Sequence, residues 1–165
     1  MKERVIWMPF LLILLSACSA ETPPPEEPVI DERSYRLGGI GAFAEVVSIG
    51  IKKLALSAPM TPEEMDALID DAERIVAENG AQCFREEDFL VTDLFPESLT
   101  EGKHVLFIHF APVRDEYMAL KEEKAALVAK GEYEGQARIE IARKMGRLLS
   151  YPEERIESML AGGPQ

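Results

Sequence analysis

The chain has 165 residues, with 18 basic and 30 acidic side chains and a formal net charge of −12. A surface this acidic repels phosphate backbones and anionic headgroups, which argues against nucleic-acid binding and against electrostatic docking on a membrane. Cations and basic partners are favoured instead. The length suits a single domain that can bury a core without disulfides.

The amino-terminal residues have the pattern of an export signal. A basic start at Lys2 and Arg4 precedes an apolar run over residues 5–15, and two small residues then precede Cys18. Crossing a bilayer takes roughly 20 apolar residues, so this shorter run predicts a cleaved leader and not a retained membrane helix.

The order Leu15-Ser16-Ala17-Cys18 resembles the lipobox of bacterial lipoproteins. This resemblance implies that residues 1–17 are a signal peptide, and that Cys18 carries diacylglycerol on its sulfur and an acyl group on its new amino terminus. Multiple chains hold a protein stably on a bilayer, whereas one does so only marginally. Ser19, in a position where Asp signals retention, resembles the enterobacterial pattern that favours the outer membrane facing the periplasm. The expected location is therefore the cell envelope.

A proline-rich segment follows the cysteine. Residues 22–28 read Thr-Pro-Pro-Pro-Glu-Glu-Pro, which favours extended polyproline geometry. We expect residues 18–33 to be a tether, residues 34–161 to be one domain that resembles no family of known function, and residues 162–165 to be a loose tail. If Cys18 is acylated, no internal disulfide can form. Cys83 then remains a free thiol, which we interpret as a small buried side chain.

The first predicted element of the domain is a helix over Ile40–Leu56, apolar enough to be buried on most of its circumference. The Gly38-Gly39-Ile40-Gly41 motif at its start allows two interpretations, an anion cradle or close backbone packing. Glu45 is correspondingly either a buried acid with a raised pKa or a residue that faces solvent or pairs with Lys52. The acidity of the chain disfavours an anion site.

Thr61-Pro62-Glu63-Glu64 predicts the start of a second helix, with Thr61 as its cap and Glu64 closing a capping box. The helix is expected to continue to Gly80 with one apolar stripe toward the core. Its outer face is acidic, which is typical of a solvated surface.

The middle of the chain predicts three short strands, at residues 81–85, 89–92 and 104–110. The last is apolar on both faces and is therefore expected at the centre of the sheet. Its histidines, His104 and His109, are five residues apart and should point to opposite faces, which excludes a shared metal ion.

These histidines are the weak catalytic candidates of the sequence, together with two carboxylates. Either histidine could join Asp93, Glu101 or Cys83, or could simply be a satisfied structural residue. A cleft is expected, if one exists, where Asp93 and the strand ends meet the first helix. The acidic segment around Asp93 lacks the spacing of a calcium-binding loop, although a loose cation site is conceivable.

Three helices are predicted after Pro112. One ends at Gly131, the next begins near Glu134, and a short one follows Pro152. The middle helix carries an outward basic face, made of Arg138, Arg143, Lys144 and Arg147. Its partner is expected to be the acidic surface of the same chain; the alternative is a docking face for an acidic partner.

This order of elements predicts an α+β fold, with a small, mostly antiparallel sheet of about three strands covered by about five helices. The sequence contains no Gly-x-Ser-x-Gly elbow, no His-Glu-x-x-His, no Walker loop, no Cys-x-x-Cys and no dinucleotide fingerprint after a strand, and it predicts no cofactor and no metal. The leading hypothesis is an envelope lipoprotein that is held to the lipid bilayer through Cys18 and has a non-catalytic binding or assembly role toward a protein partner or small ligand. The alternative is a small hydrolase or ligand-processing enzyme that uses Glu45 or Asp93 with His104 or His109.

Overall fold

The computed structural model describes residues 30–110 and 112–162. The predicted signal peptide, Cys18 and the proline-rich segment lie outside the described residues, as does the tail from residue 163. Over the described part, the chain forms a three-stranded antiparallel sheet and six α-helices. The predicted α+β class is therefore confirmed.

The elements follow one another in the order α1 (Glu32–Ser48), β1 (Leu54–Leu56), α2 (Pro62–Asp66), α3 (Ile69–Glu78), β2 (Gln82–Glu86), β3 (Val105–His109), α4 (Val113–Ala129), α5 (Gly135–Leu148) and α6 (Glu153–Leu160). A one-turn 3-10 helix over Glu97–Leu99 lies between β2 and β3. The strand order is β1-β3-β2, and β3 pairs antiparallel with both neighbours. The prediction of β3 as the central strand is confirmed.

Both faces of β3 are buried, and its alternating side chains enter two different cores. Leu106 and Ile108 pack with α1 and α3 in one apolar cluster. Val105 and Phe107 pack on the other side of the sheet with α4 and α5. The sheet is thus the middle layer of the domain, with a helical layer on each face.

The predicted helix over Ile40–Leu56 is wrong at both ends. Helix α1 starts earlier, at Glu32, and ends at Ser48; Gly50 then turns the chain with a φ of +77°, a conformation that favours glycine. Leu54–Leu56 form the edge strand β1. Leu54 and Ala55 are both buried, so this strand has no polar alternation, and a short apolar run of that kind cannot be distinguished from a helix by periodicity.

The predicted strand at residues 89–92 is also wrong, because helix α4 satisfies the backbone groups that a strand would pair. The Leu90 N–H donates to the Tyr117 hydroxyl at 3.0 Å, and the Lys124 ammonium donates to the Val91 carbonyl at 2.8 Å. Phe89 and Leu90 are buried in this loop. The sheet therefore has the expected number of strands, with β1 as the third.

The capping box at Thr61 is confirmed. The Glu64 N–H donates to the Thr61 hydroxyl at 3.2 Å, and the Thr61 N–H donates to the Glu64 carboxylate at 2.8 Å. The helix that it starts is interrupted after Asp66 and resumes at Ile69, so one predicted helix is two. The three helices after Pro112 occur where the sequence predicts them.

Candidate functional site

The first candidate carboxylate, Glu45, is exposed on α1. Among the described residues, no basic group lies within ion-pair distance of its side chain. Lys52 instead donates to the Leu149 carbonyl at 3.0 Å, and its ammonium lies 5.0 Å from the centre of the Tyr151 ring. Of the alternatives for Glu45, the solvent-facing one is observed; burial and a link to Lys52 are not.

His104 is held by an arginine on the neighbouring strand. The Arg85 Nε–H donates to His104 Nδ1 at 2.6 Å, so this nitrogen acts as an acceptor. The same guanidinium pairs with Asp66 at the end of α2 and lies 3.3 Å from the Glu87 carboxylate. His104 therefore belongs to a cluster that fastens α2 to the sheet.

His109 lies on the opposite face of β3 and is 3% exposed. Its Nδ1 lies 3.0 Å from the Phe110 carbonyl oxygen, and its ring meets the ring of Phe84 edge-on at 5.4 Å. These contacts are typical of a satisfied structural histidine.

The second candidate carboxylate, Asp93, accepts two hydrogen bonds from Arg138 Nε, at 2.7 and 2.9 Å. The pair borders a pocket of about 280 Å³ that also contains Lys124 and Tyr133. The Lys124 ammonium lies 5.1 Å from the centre of the Tyr133 ring, and burial lowers the pKa of this lysine. The helices at this pocket are α4 and α5, so the expectation that Asp93 meets the first helix is wrong.

The structure therefore does not bring the four catalytic candidates together. Asp93 lies beside α5, Glu45 on the surface of α1, and His104 and His109 on opposite faces of the sheet. In the described part of the chain, no three His, Cys, Asp or Glu side chains are grouped as metal ligands.

The remaining thiol, Cys83, is half-buried in β2 and packs against the core under α1 and α3. Burial, with a smaller contribution from the carboxylate of Glu73, raises the pKa of Cys83 to about 11. The thiol is therefore protonated at neutral pH, which fits the interpretation of Cys83 as a packing residue.

The outward basic face of α5 is neutralised by acidic residues of the same chain, as the sequence predicts. Arg143 lies 2.6 Å from Glu157, and Arg147 lies 2.8 Å from Glu153. Lys144 pairs with Glu123, and Arg138 pairs with Asp93. The charges that would attract an acidic partner are thus already matched.

Helix α1 presents a different outer surface, which is apolar. Exposed large side chains lie along it and at both of its ends, and small residues occupy its middle. We call this surface the α1 strip; it consists of Ile30, Tyr35, Gly38, Gly39, Ala42, Phe43, Ile49 and Ile51. Tyr35 is 73% exposed and Ile49 is 64% exposed. A contiguous exposed apolar surface of this kind is typical of an interaction site.

The strip borders a groove between α1 and the chain that follows β1. This α1 groove has a volume of about 460 Å³; its lining is mostly apolar or small, with Gly39, Phe43, Ala58 and Met60 among it, and includes one charged residue, Arg36. Glu45 is the one charged residue near the middle of the outer face of α1, within the part of the chain that the structure describes.

Gly38 and Gly39 lie inside α1, and nothing within the domain requires glycine there. Neither has a positive φ, and a Cβ atom added to either would meet no atom within 4 Å. Glycine inside a helix costs about 1 kcal/mol relative to alanine. Gly41 differs, because its added Cβ would lie 3.4 Å from the Ile75 side chain. Close packing is thus observed for Gly41 alone of the three.

The anion-cradle interpretation of these glycines is wrong. Gly38 is the seventh residue of α1, and only the first four N–H groups of a helix lack a partner within it. The sequence predicts that this region is buried, because its pattern does not indicate which apolar residues of α1 the sheet covers. The signal for the α1 strip is the second set of apolar or small residues, offset from the buried set of Ile40, Ala44 and Val47.

Among the described residues, no helix combines the length and apolar character needed to span a bilayer. Comparison of the chain with protein-family models, with curated proteins and with solved structures finds no match.

Proposed function

We propose that this protein is a bacterial envelope lipoprotein, anchored through acylated Cys18, whose acidic domain has a non-catalytic binding or assembly role. The binding surface in this proposal is the α1 groove. The observation that carries it is the exposed, nearly charge-free α1 strip on a chain whose net charge is −12.

The arrangement of the titratable residues supports a binding role over catalysis. General acid–base chemistry needs groups within hydrogen-bond reach of a common substrate. Asp93 is engaged by Arg138 and His104 by Arg85, while His109 is buried against an aromatic ring. No observation in the described residues favours the hydrolase alternative.

The position of α1 in the chain supports a role close to the anchor. Ile30 lies twelve positions after Cys18, which would correspond to about 37 Å in polyproline geometry. The α1 strip therefore begins within a few nanometres of the proposed lipid. Ser19 favours the outer membrane for this anchor.

Metabolic labelling with an alkyne-bearing palmitate in a bacterial host tests the anchor. We expect the full chain to incorporate the label and to fractionate with membranes, and Cys18→Ala to do neither. Cys83→Ala is the matched control, because it removes the other cysteine of the chain and should keep the label. An unlabelled chain that retains its initiator methionine would contradict the proposal.

Site-specific photo-cross-linking in cells tests the binding surface. A benzoylphenylalanine at Tyr35, on the α1 strip, should give one defined adduct. Phe43→Glu should abolish that adduct, because it replaces an apolar ring of the groove by a charged side chain that a partner would have to desolvate. Met118→Glu is the control, since Met118 on α4 is 41% exposed and Phe43 is 39% exposed. Equal adduct in both variants would contradict the assignment of the groove.

A further inference from the structure

The large and small residues of the α1 strip are distributed almost symmetrically about the middle of the helix. Ile30 and Tyr35 lie toward one end, and Ile49 and Ile51 lie at the other. Gly38, Gly39 and Ala42 lie between them and are exposed, as is Phe43, which borders the α1 groove. A surface whose small residues lie near its centre and whose most exposed large residues lie at its two ends is complementary to a reversed copy of itself.

We propose that the partner of the α1 groove is a second copy of this chain, with the two α1 helices packed antiparallel about a two-fold axis. In such an isologous contact, if residue i of the first copy contacts residue j of the second, then residue j of the first copy contacts residue i of the second. The inference rests on the proposed membrane anchoring, which supplies the local concentration that the contact needs.

The register of the contact follows from the positions of the small residues. If the helices cross at Ile40, residue 42 of one copy faces residue 38 of the other, so Ala42 meets Gly38 where the two backbones are closest. Residue 45 then faces residue 35, which places the Glu45 carboxylate beside the exposed hydroxyl of Tyr35. A phenol can donate a hydrogen bond to a carboxylate, so Glu45, which lies beside the strip, gains a partner.

Electrostatics favour the α1 strip over other surfaces for self-contact. Two copies of a chain with net charge −12 repel each other wherever their acidic faces meet. None of the residues that make up the strip is charged. Antiparallel packing also places the positive end of each helix dipole near the negative end of the other.

The two glycines distinguish a helix from a bilayer as the occupant of the strip. A lipid surface is bound through large apolar side chains, and glycine adds little to such binding. Glycine does permit two helix backbones to approach closely. Because the domain itself has no steric need for Gly38 and Gly39, a second helix accounts for them and a bilayer does not.

The size of the contact predicts that it forms on the membrane and not in dilute solution. Helix α1 has 17 residues, so it is about 26 Å long and about 10 Å wide. Such a strip buries a few hundred square ångströms per copy, below the roughly 800 Å² of a standard stable interface. Anchoring two copies in one bilayer raises their effective concentration to compensate.

Disulfide cross-linking tests the contact on the full, lipidated chain reconstituted in vesicles of phosphatidylcholine and phosphatidylethanolamine. Gly39→Cys, in a Cys83→Ala background, places a thiol beside the crossing point without a clash in the single domain. We expect mild oxidation to give a covalent dimer. Met118→Cys on α4 is the control and should give at least tenfold less.

A second variant separates close packing from loss of folding. With a mixture of Gly38→Cys and Ala42→Cys chains as the reporter, since these positions face each other in the proposed register, adding Gly39→Leu to both should reduce cross-linking at least tenfold, because the leucine keeps the helices apart. The same change should raise the melting temperature by a few degrees, since a helix former replaces glycine where there is space. Unchanged cross-linking in Gly39→Leu would overturn the proposal.

The remaining outcomes identify other occupants. If Gly39→Cys gives no dimer while palmitate labelling and the Tyr35 adduct persist, the second copy is excluded and the groove binds a different protein. If vesicles protect the thiol of the Gly39→Cys variant from a water-soluble maleimide and no dimer forms, the bilayer is the occupant, and the proposal is again overturned. Absence of the palmitate label would contradict the proposed lipid anchor at Cys18.

Discussion

The two faces of the sheet are covered by helices of similar length that have opposite outer surfaces. On one face, α5 turns arginine and lysine outward, and those that the structure describes are paired with acidic residues of the same chain. On the other face, α1 turns apolar and small residues outward, and nothing in the described domain covers them.

This difference shows which kind of surface is left for a partner. Charged side chains are easily matched within an acidic chain, because long flexible groups can reach one another across neighbouring helices. An apolar helix face can be covered only by another packed element. The α1 strip, and not the basic face of α5, therefore remains available for binding.

Among the substitutions that test this comparison, the largest loss of stability is expected at Gly146 of α5. An added Cβ would lie 2.7 Å from Ile156 Cγ1 and 3.1 Å from Leu94 Cδ1, both in buried side chains. We expect Gly146→Ala to lower the free energy of unfolding by about 1–3 kcal/mol through overpacking, in spite of the better helix propensity of alanine. Urea titration of the full chain measures this; unchanged stability would contradict the close contact of α5 with α6.

The contact between α4 and the loop that replaces the predicted strand can be tested at Tyr117. Its hydroxyl accepts a hydrogen bond from the Leu90 N–H, and both residues are buried. Tyr117→Phe leaves this N–H without its partner, so we expect a loss of about 1–2 kcal/mol in the free energy of unfolding. The change should accelerate hydrogen exchange more at the Leu90 amide than at the amides of β3. Equal protection of the Leu90 amide in the parent chain and in the variant would contradict the role of the hydroxyl.

Replacing glycine by alanine in α1 should stabilise the domain, which is the opposite of the effect expected at Gly146. Gly39→Ala places a methyl group where no atom lies within 4 Å. We expect the free energy of unfolding to rise by about 0.5–1 kcal/mol, from helix propensity alone. Thermal unfolding of the two glycine variants side by side tests the contrast; a destabilised Gly39→Ala would mean that the domain itself needs this glycine.

The smallest effect is expected from the ion pairs between α5 and α6. Hydrogen bonds from Arg147 and Arg143 hold the pKa of Glu153 and Glu157, respectively, below their usual range. This contribution to stability is present at neutral pH and is lost as the pH falls from about 5 through the lowered pKa values. The double variant Arg143→Gln, Arg147→Gln should therefore show a slightly shallower fall in melting temperature between pH 6 and pH 3. A steeper fall than in the parent chain would contradict these pairings.

Local signals predicted much of this fold from the sequence. The capping box at Thr61 depends on residues three positions apart, and β3 is recognisable from its continuous β-branched and aromatic run. The internal neutralisation of α5 follows from composition, because an acidic chain offers many partners to a few arginines.

The errors have a common physical origin, in contacts between parts of the chain that are distant in sequence. The sequence pattern predicts helix at β1, because the burial of this strand on two faces depends on the helices around it. It predicts a strand at Phe89, because the backbone partners of this loop are side chains of α4, about 30 residues later. The candidate carboxylates and histidines failed to converge for the same reason, since spacing along the chain does not determine which faces of the sheet they reach.

The hydrogen bonds of Lys52 and Lys53 have a mechanical consequence. Lys52 donates to the Leu149 carbonyl, and the Lys53 N–H donates to the Ser150 hydroxyl at 2.9 Å, which ties the exit of α1 to the turn before α6. A force applied at Ile30 would enter the described domain through α1. These ties join the far end of that helix to the carboxy-terminal helices, so a displacement of the whole helix would also load α5 and α6.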